Sequence, residues 1–400
     1  RNSTTRDNFK GSEAFYRPFL LKFSPMFSLR FFALLLFICK SICDTDILDS
    51  GRKDALPLSE KIFYKDFLNS FNFYNKYHIS PKKITQASLA YVTPWNSKGY
   101  DIAKLFAIKF SHISPVWLRL PPSESCTVEG LHDIDSSWIS AVRSVNEDVK
   151  FLPRLLFDGW TESDYQKLLR SSGAQSKCIS TILPVLKKYK FDGIVLEIWM
   201  QHSGTSQEEL MLFIKRLSKS LHDENMTIVL AIPPPVYQGG YTGSFVREHF
   251  NFLSSDVDFF SLMTYDYSNP YIPGPNSPIK WVRECVELLA PSGSKSNLRY
   301  KILVGLNFYG YDLVPNQRSG HPVLGHEFVR MVDKHHPKFR WNSEWAEHYI
   351  EFEDSSGHEH VVYFPSTLSI ARRISLVQEL GTGISIWEIG QGLDSFYEQL

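Results

Sequence analysis

From residue 88 onward the chain alternates between two rhythms of apolar and polar positions. Short runs rich in Val, Ile and Leu occupy residues 88–93, 112–118, 150–156, 193–199, 227–232, 259–264, 301–306 and 383–387. Their length and near-continuous hydrophobicity suit strands buried on both faces. Helical periodicity falls between several of them. Leu210, Phe213, Ile214, Leu217 and Leu221 share one face behind a capping box of Ser206 and Glu209. Ser366 can cap a helix that runs to Leu380 and stops at Gly381, and another helix begins near Pro278. Pro184 predicts a kink in the helix before residue 191. Strand, helix, strand repetition implies parallel strands, and about eight of them predict a closed (β/α)8 TIM barrel over 87–400.

Two departures from the repeat are expected. Apolar runs at 349–353 and 360–364 flank Asp354-Ser355-Ser356-Gly357, which predicts a small β-hairpin inserted before the last helix. Residues 44–86 carry scattered Phe and Tyr without a clean period and read as an N-terminal arm packed on the barrel. There is no internal repeat and no low-complexity linker.

The run Phe191-Asp192-Gly193-Ile194-Val195-Leu196-Glu197-Ile198-Trp199 has an acid set inside an apolar strand. Strand alternation puts Val195, Glu197 and Trp199 on one face and Ile194, Leu196 and Ile198 on the other. A carboxylate buried there costs several kcal/mol unless hydrogen-bonded or neutralised, so Glu197 needs a partner. Asp192, beside Gly193, reads as structural at the strand entrance.

Composition narrows the functional classes. At 400 residues and 43% hydrophobic the chain can bury a large core. Lys+Arg and Asp+Glu balance at 43 each, so there is no electrostatic footprint of a nucleic-acid binder. Arg30, the apolar stretch 31–38 and small residues up to Cys43 match a signal peptide starting at Met26, with residues 1–25 lying upstream of it. The apolar stretch is far shorter than the ~20 residues of a spanning helix. Past that segment, Cys126, Cys178 and Cys285 form neither a disulfide framework nor a metal motif, and no cofactor motif is present. Asn225-Met226-Thr227 is a glycosylation sequon consistent with the secretory route.

In a parallel barrel the functional face lies at the C-terminal strand ends. Those ends carry Tyr91 and Trp95, Trp117, Asp158 and Trp160, Glu197 and Trp199, Met263, Tyr265 and Asp266, Asn307 and Tyr309, and Trp387. Rings interleaved with Asp, Asn and Glu suit sugars, whose flat C–H faces are edged by hydroxyls. A mostly apolar small-molecule pocket fits the pattern too.

Here the residues suggest a family. The 191–199 run resembles the Asp-Gly-x-Asp-x-Asp-x-Glu strand of glycoside hydrolase family 18, the chitinases. Ser261 to Tyr267 resembles that family's Met-x-Tyr-Asp strand, and the Gly305 to Gly310 and Trp387 strands fit as well. The blocks at 91–96, 113–118, 261–267 and 386–392 look most like the chitinase-like members that interact with stabilin. The resemblance covers about residues 89–400 and implies a barrel that cleaves by substrate-assisted retention, in which a strand-end Glu protonates the glycosidic oxygen and an Asp two residues earlier orients the N-acetyl group. Carried over position by position, the four acidic places fall on Asp192, Val195, Glu197 and Trp199.

An indole N–H is a hydrogen-bond donor but no usable acid near neutral pH. General-acid catalysis is worth about 10²–10⁴-fold, so the family mechanism should be lost while binding need not be. The expectation is a lectin-like, non-hydrolytic protein with no catalytic residue. N-acetylglucosamine-type oligosaccharides are its expected ligands, on rings led by Trp387 and Trp199, with Trp199 plugging the pocket as the alternative. Glu197 is expected to pair with Tyr265 or Asp266. The resemblance further implies a stabilin-type sorting receptor as partner and a place outside the cell, in late endosomes or in the lysosome. Competing readings are a glycosidase taking its proton from Asp158, Asp266 or Glu388, and an interaction protein that uses the barrel's outside or the arm.

Overall fold

The computed structural model describes residues 58–75, 77–201, 207–293 and 298–400. The expected signal peptide and upstream residues, the arm as far as residue 57 and the capping Ser206 lie outside the described residues. Strands β1 (Ser88–Val92), β2 (His112–Pro115), β3 (Leu118–Leu120), β4 (Lys150–Phe151), β5 (Arg154–Phe157), β6 (Gly193–Glu197), β7 (Thr227–Ile232), β8 (Phe259–Leu262) and β9 (Ile302–Asn307) come first. With Gly383–Trp387 they form one parallel sheet. β2 and β3 are two halves of one interrupted strand, as are β4 and β5. β2 pairs with β4 at one end while β3 pairs with β5 at the other, so the sheet closes on itself with eight staves. The eight expected strands are present in the expected order.

Register fixes what faces inward. Side chains of paired residues in parallel strands share a face. Leu89, Tyr91, Val116, Leu152, Val195, Val229, Ala231 and Leu303 fill the interior as one apolar cluster. The opposite parity, including Ile194, Leu196, Phe260 and Leu262, packs against the helices. The helix Gln207–His222 buries Leu210, Phe213, Ile214, Leu217 and Leu221 on that layer, the face its sequence predicts. Pro184 is carried inside the helix Ser172–Lys188.

Gly193 shows why an Asp-Gly pair opens β6. Its φ of 151° brings the backbone so close to β7 that a Cβ would stand 1.8 Å from the carbonyl oxygen of Thr227. Asp192 accepts from the Phe151 N–H at 2.7 Å and from Arg143 Nη2 at 2.8 Å, tying the strand entrance to its neighbour. This is the structural role expected of it.

The expected hairpin is real but belongs to a larger insertion. Strands β10 (Gly310–Val314), β11 (Ser319–Val323), β12 (Lys338–Asn342), β13 (Glu347–Glu353) and β14 (Glu359–Tyr363) form an antiparallel sheet in the order β11-β10-β14-β13-β12, with a helix at Gly325–His335. The chain then returns through the helix Thr367–Leu380 to β15 (Gly383–Trp387), the last stave. From the arm, the helix Tyr64–Ser70 sets Phe67 against Phe328 and Phe339 at 5.5 and 5.2 Å. The described part of the arm therefore covers the insertion.

Candidate functional site

The inward parity of the staves builds a polar floor just above the apolar interior. Tyr91 donates from its hydroxyl to Ser261 at 2.9 Å, and Ser261 donates to Ser385 at 3.1 Å, linking three staves across the barrel. Trp387 lies over this thread, half-buried, with its ring 5.1 Å from that of Tyr91. Asn307 is its register partner on β9 and donates to the carbonyl of Tyr309 at 2.8 Å. Met263, half-buried, packs on the interior cluster, as Trp387 does.

Beyond the end of β8 the chain places Tyr265 and Asp266 on the same side. Tyr309 donates its hydroxyl to Asp266, and the rings of Tyr265 and Tyr309 meet at 6.3 Å. Burial among these rings raises the Asp266 carboxyl above its usual range, against hydrogen bonds from Tyr309 and Tyr311 that lower it. Burial also raises the Tyr265 phenol well above its ordinary value, so it stays a neutral donor.

Glu197 faces this mouth, but its partner differs from the one expected. It accepts from Arg154 Nη1 at 2.9 Å and from Gln201 Nε2 at 3.2 Å, rather than pairing with Tyr265 or Asp266. The register explains it, since Leu156 lies opposite Glu197 and Arg154 is the inward residue one pair deeper on the same strand. Arg154 was readable as a charge at an inward strand position, with the same parity as Leu152. Arg154 Nε and Gln201 Oε1 are buried with no partner among the described residues.

Trp199 is not in the mouth. β6 ends at Glu197 and the chain turns at once, which breaks the alternation that would have kept Trp199 beside Glu197. Its ring is 2% exposed and lies in the helix-facing core, 4.8 Å from Phe245 and 4.9 Å from His249. It neither stacks in the mouth nor plugs it. Two other expected platforms are also placed elsewhere. Trp117 falls on the outward parity between Trp138 and Phe191 and donates to the hydroxyl of Tyr100 at 2.8 Å. Trp160 packs on Phe157 and Tyr165 and donates to the carbonyl of Leu120 at 2.6 Å.

Trp95 is 69% exposed on the loop after β1, at the rim. Asp158 makes a half-exposed ion pair at 3.6 Å with Arg119, which the register places on the same face as Leu156 and Glu197. Glu388 is fully buried behind the first loop, accepting from Asn96 and from the Gly390 N–H, and burial pushes its carboxyl up to about 7. Of the three carboxylates weighed as an alternative acid, Asp266 is bound by Tyr309 in the mouth, Asp158 is half-exposed on Arg119, and Glu388 is buried behind the first loop. Asn225 is exposed in a left-handed turn (φ 58°) after the helix Gln207–His222. Among the described residues there is no cluster of His, Cys, Asp and Glu fit to hold a metal, and no helix is long and apolar enough to cross a membrane.

Comparison with known proteins agrees with this geometry. The family described as "Glycosyl hydrolases family 18" matches residues 74–392. A cortical fragment-lytic enzyme of Bacillus anthracis is 25% identical over 56% of this chain, a stretch that spans 52% of the relative. The chain thus covers about half the length of the curated relatives it matches. Among solved structures, a chitinase from Chromobacterium violaceum has a TM-score of 0.68 at 18% identity, covering 79% of this chain and 98% of that one. A spore cortex-lytic enzyme from Bacillus megaterium has 0.65 at 20%, covering 80% and 74%. A plant class V chitinase mutant from Cycas revoluta, solved in complex with (GlcNAc)3, has 0.64 at 14%, covering 78% and 98%. At these identities the likeness shows the fold.

Proposed function

The chain belongs to glycosyl hydrolases family 18, and from that premise we propose that its barrel mouth binds chitin-type oligosaccharides without cleaving them by the mechanism the family resemblance implies. One observation supports the reading: Trp199, on which the family resemblance places the general acid, is packed outward on Phe245 and His249. Glu197, two residues before it, is held by Arg154 from one step below and by Gln201 from the turn after the strand. Without an acid the alkoxide leaving group keeps its full barrier. What remains suits binding. Trp387 offers a half-buried ring for a sugar's C–H face, while Tyr265, Asp266 and Tyr309 line the same opening with hydroxyl and carboxylate groups. Arg154 Nε and Gln201 Oε1 supply further polar atoms in want of partners.

A second reading has its own support. Cortical fragment-lytic enzymes are among the relatives, and Asp266 has a raised carboxyl in the mouth, so a hydrolase with Asp266 as displaced acid is the alternative. Product analysis separates the two: incubation with N-acetylglucosamine tetramer releases no shorter oligomers on the first reading, and releases them in an Asp266-dependent way on the second.

The resemblance of residues 91–96, 113–118, 261–267 and 386–392 to stabilin-interacting chitinase-like proteins, and the signal peptide expected from Met26, support a secreted or lysosomal protein carried by a stabilin-type receptor. The exposed Asn225 sequon is in keeping with glycosylation on that route. Secretion of the full chain from a eukaryotic host, with a glycosidase-sensitive mass increase lost in Asn225→Gln, tests both statements.

A further inference from the structure

Two cysteines far apart in sequence lie side by side in the fold. Cys126 sits on the loop after β3, and Cys178 on the helix Ser172–Lys188. Thr181 donates its hydroxyl to the carbonyls of both, at 2.6 Å to Cys126 and 2.8 Å to Cys178, and so pins the loop to the helix at that point. Both thiols are free and buried, and each shifts the protonation of the other. They differ in access. Cys126 lines a cavity of about 560 Å³ together with Glu124, Trp160, Lys167 and Lys177, whereas Cys178 does not reach it.

We propose that Cys126 and Cys178 form a thiol–disulfide exchange site, with Cys126 the nucleophile reached through the cavity and Cys178 the resolving thiol behind it. Thiolate, not thiol, attacks. The neighbouring Cys178 thiol lowers Cys126, burial opposes this, and Lys177 adds to the lowering, while the Cys126 thiol and burial raise Cys178. The asymmetry assigns the two roles in the order that access does. Lys167 and Lys177 are matched on the cavity wall by Glu124 and Asp164, so its formal charge is balanced.

The substrate class is a low-molecular-weight disulfide, RSSR. Cys126 releases its proton to solvent, its sulfur attacks one sulfur of RSSR, the Cys126–SR bond forms, and RS⁻ departs and takes up a proton. Cys178 then loses its proton and attacks Cys126 Sγ. The Cys126–Cys178 bond forms, and the second RS⁻ leaves as RSH. The protein dithiol gives up two electrons and two protons, and RSSR is reduced to two RSH. The product bond locks the loop after β3 onto the helix.

Cys285 is the internal control. It is buried in the helix Ile279–Leu289, its thiol is raised by burial, and it lines no wall of that cavity. The full chain is incubated with oxidised glutathione, quenched with an alkylating agent at successive times and mapped by peptide mass. Early samples are expected to carry glutathione on Cys126, and late samples a Cys126–Cys178 linked peptide lighter by two hydrogens, with Cys285 modified at least about tenfold more slowly than Cys126. Cys178→Ser should trap the adduct on Cys126, and Cys126→Ser should leave Cys178 unmodified. The proposal is overturned if the early wild-type adduct sits on Cys178, if Cys126 reacts no faster than Cys285, or if both thiols stay free at saturating glutathione disulfide. The wild-type time course needs neither variant to fold.

Discussion

Glu197 and Trp199 stand two residues apart on one strand, and the turn after Glu197 sends them into different layers. Glu197 forms a half-screened ion pair with Arg154, both side chains largely but not fully buried. Replacing it with Ala strands a guanidinium that already has an unpaired Nε, which should cost about 2–3 kcal/mol, below the ~3–5 kcal/mol of a fully buried pair. Glu197→Gln keeps an acceptor for Arg154 and should fold with near-normal stability and ligand affinity; chemical denaturation of the two variants measures the contrast. Trp199 gives the complementary test. Restoring the family's acid by Trp199→Glu puts a carboxylate against Phe245 and His249, so it should destabilise by several kcal/mol and create no hydrolysis. Trp199→Phe should leave oligosaccharide binding unchanged, and a loss of binding with intact thermal stability would return Trp199 to the mouth.

Glu388 makes a prediction in pH. Its folded value of about 7 lies above its ordinary 4.5, so the folded state holds this proton more tightly than the unfolded chain. Its contribution is complete below about pH 4.5, fades as pH rises towards 7 and is flat beyond, a change of up to about 3 kcal/mol. Glu388→Gln removes it, so the variant should gain stability relative to wild type between pH 5 and 8, read from urea midpoints. His112 and His348, both pushed down to about 4 by burial, titrate in the opposite sense in both proteins and cancel in the difference.

At the scale of elements, the staves were legible because a strand buried on both faces is written as an apolar run, and eight such runs were countable. The insertion was legible only in part. β13 and β14 carry alternating residues around Asp354-Ser355-Ser356-Gly357, but β11 reads Ser-Gly-His-Pro-Val and is mostly exposed, so nothing in its pattern announces a strand. Long-range pairing with β10 makes it one. The same limit applied at the site. Tyr91, Glu197, Met263, Asn307 and Trp387 point inward in the structure, since each lies in or beside regular strand. Trp117, Trp160 and Trp199 sit at strand breaks or beyond strand ends, where parity no longer says which way a ring points.

A lock between elements was invisible in the pattern altogether. Arg373, on the helix Thr367–Leu380, donates to Glu347 at 2.8 Å, and Glu347 accepts the N–H groups of Asn276 and Ser277 at 3.1 and 2.7 Å. Both side chains are buried, so helix, insertion and the loop after β8 share one charged knot. Arg373→Met leaves Glu347 without its cation and should cost about 3–5 kcal/mol, seen as a lower denaturation midpoint. Because that loop follows Tyr265 and Asp266, weaker oligosaccharide binding should accompany it.

At the scale of the whole molecule, a closed barrel keeps one face of every stave for stability and spends its strand ends on a ligand. The polar thread Tyr91–Ser261–Ser385 lies at the boundary between the two uses. The proposed sugar site stands on that boundary, with Trp387 over the thread and Trp199 packed away from it. The most direct measurement is a titration of N-acetylglucosamine tetramer against the intact protein by calorimetry, with chromatography of the same solution for shorter oligomers. The account predicts saturable binding, weakened at least about tenfold (~1.4 kcal/mol) by Trp387→Ala, and an undegraded tetramer throughout. Release of shorter oligomers by wild type that is abolished in Asp266→Asn would contradict it.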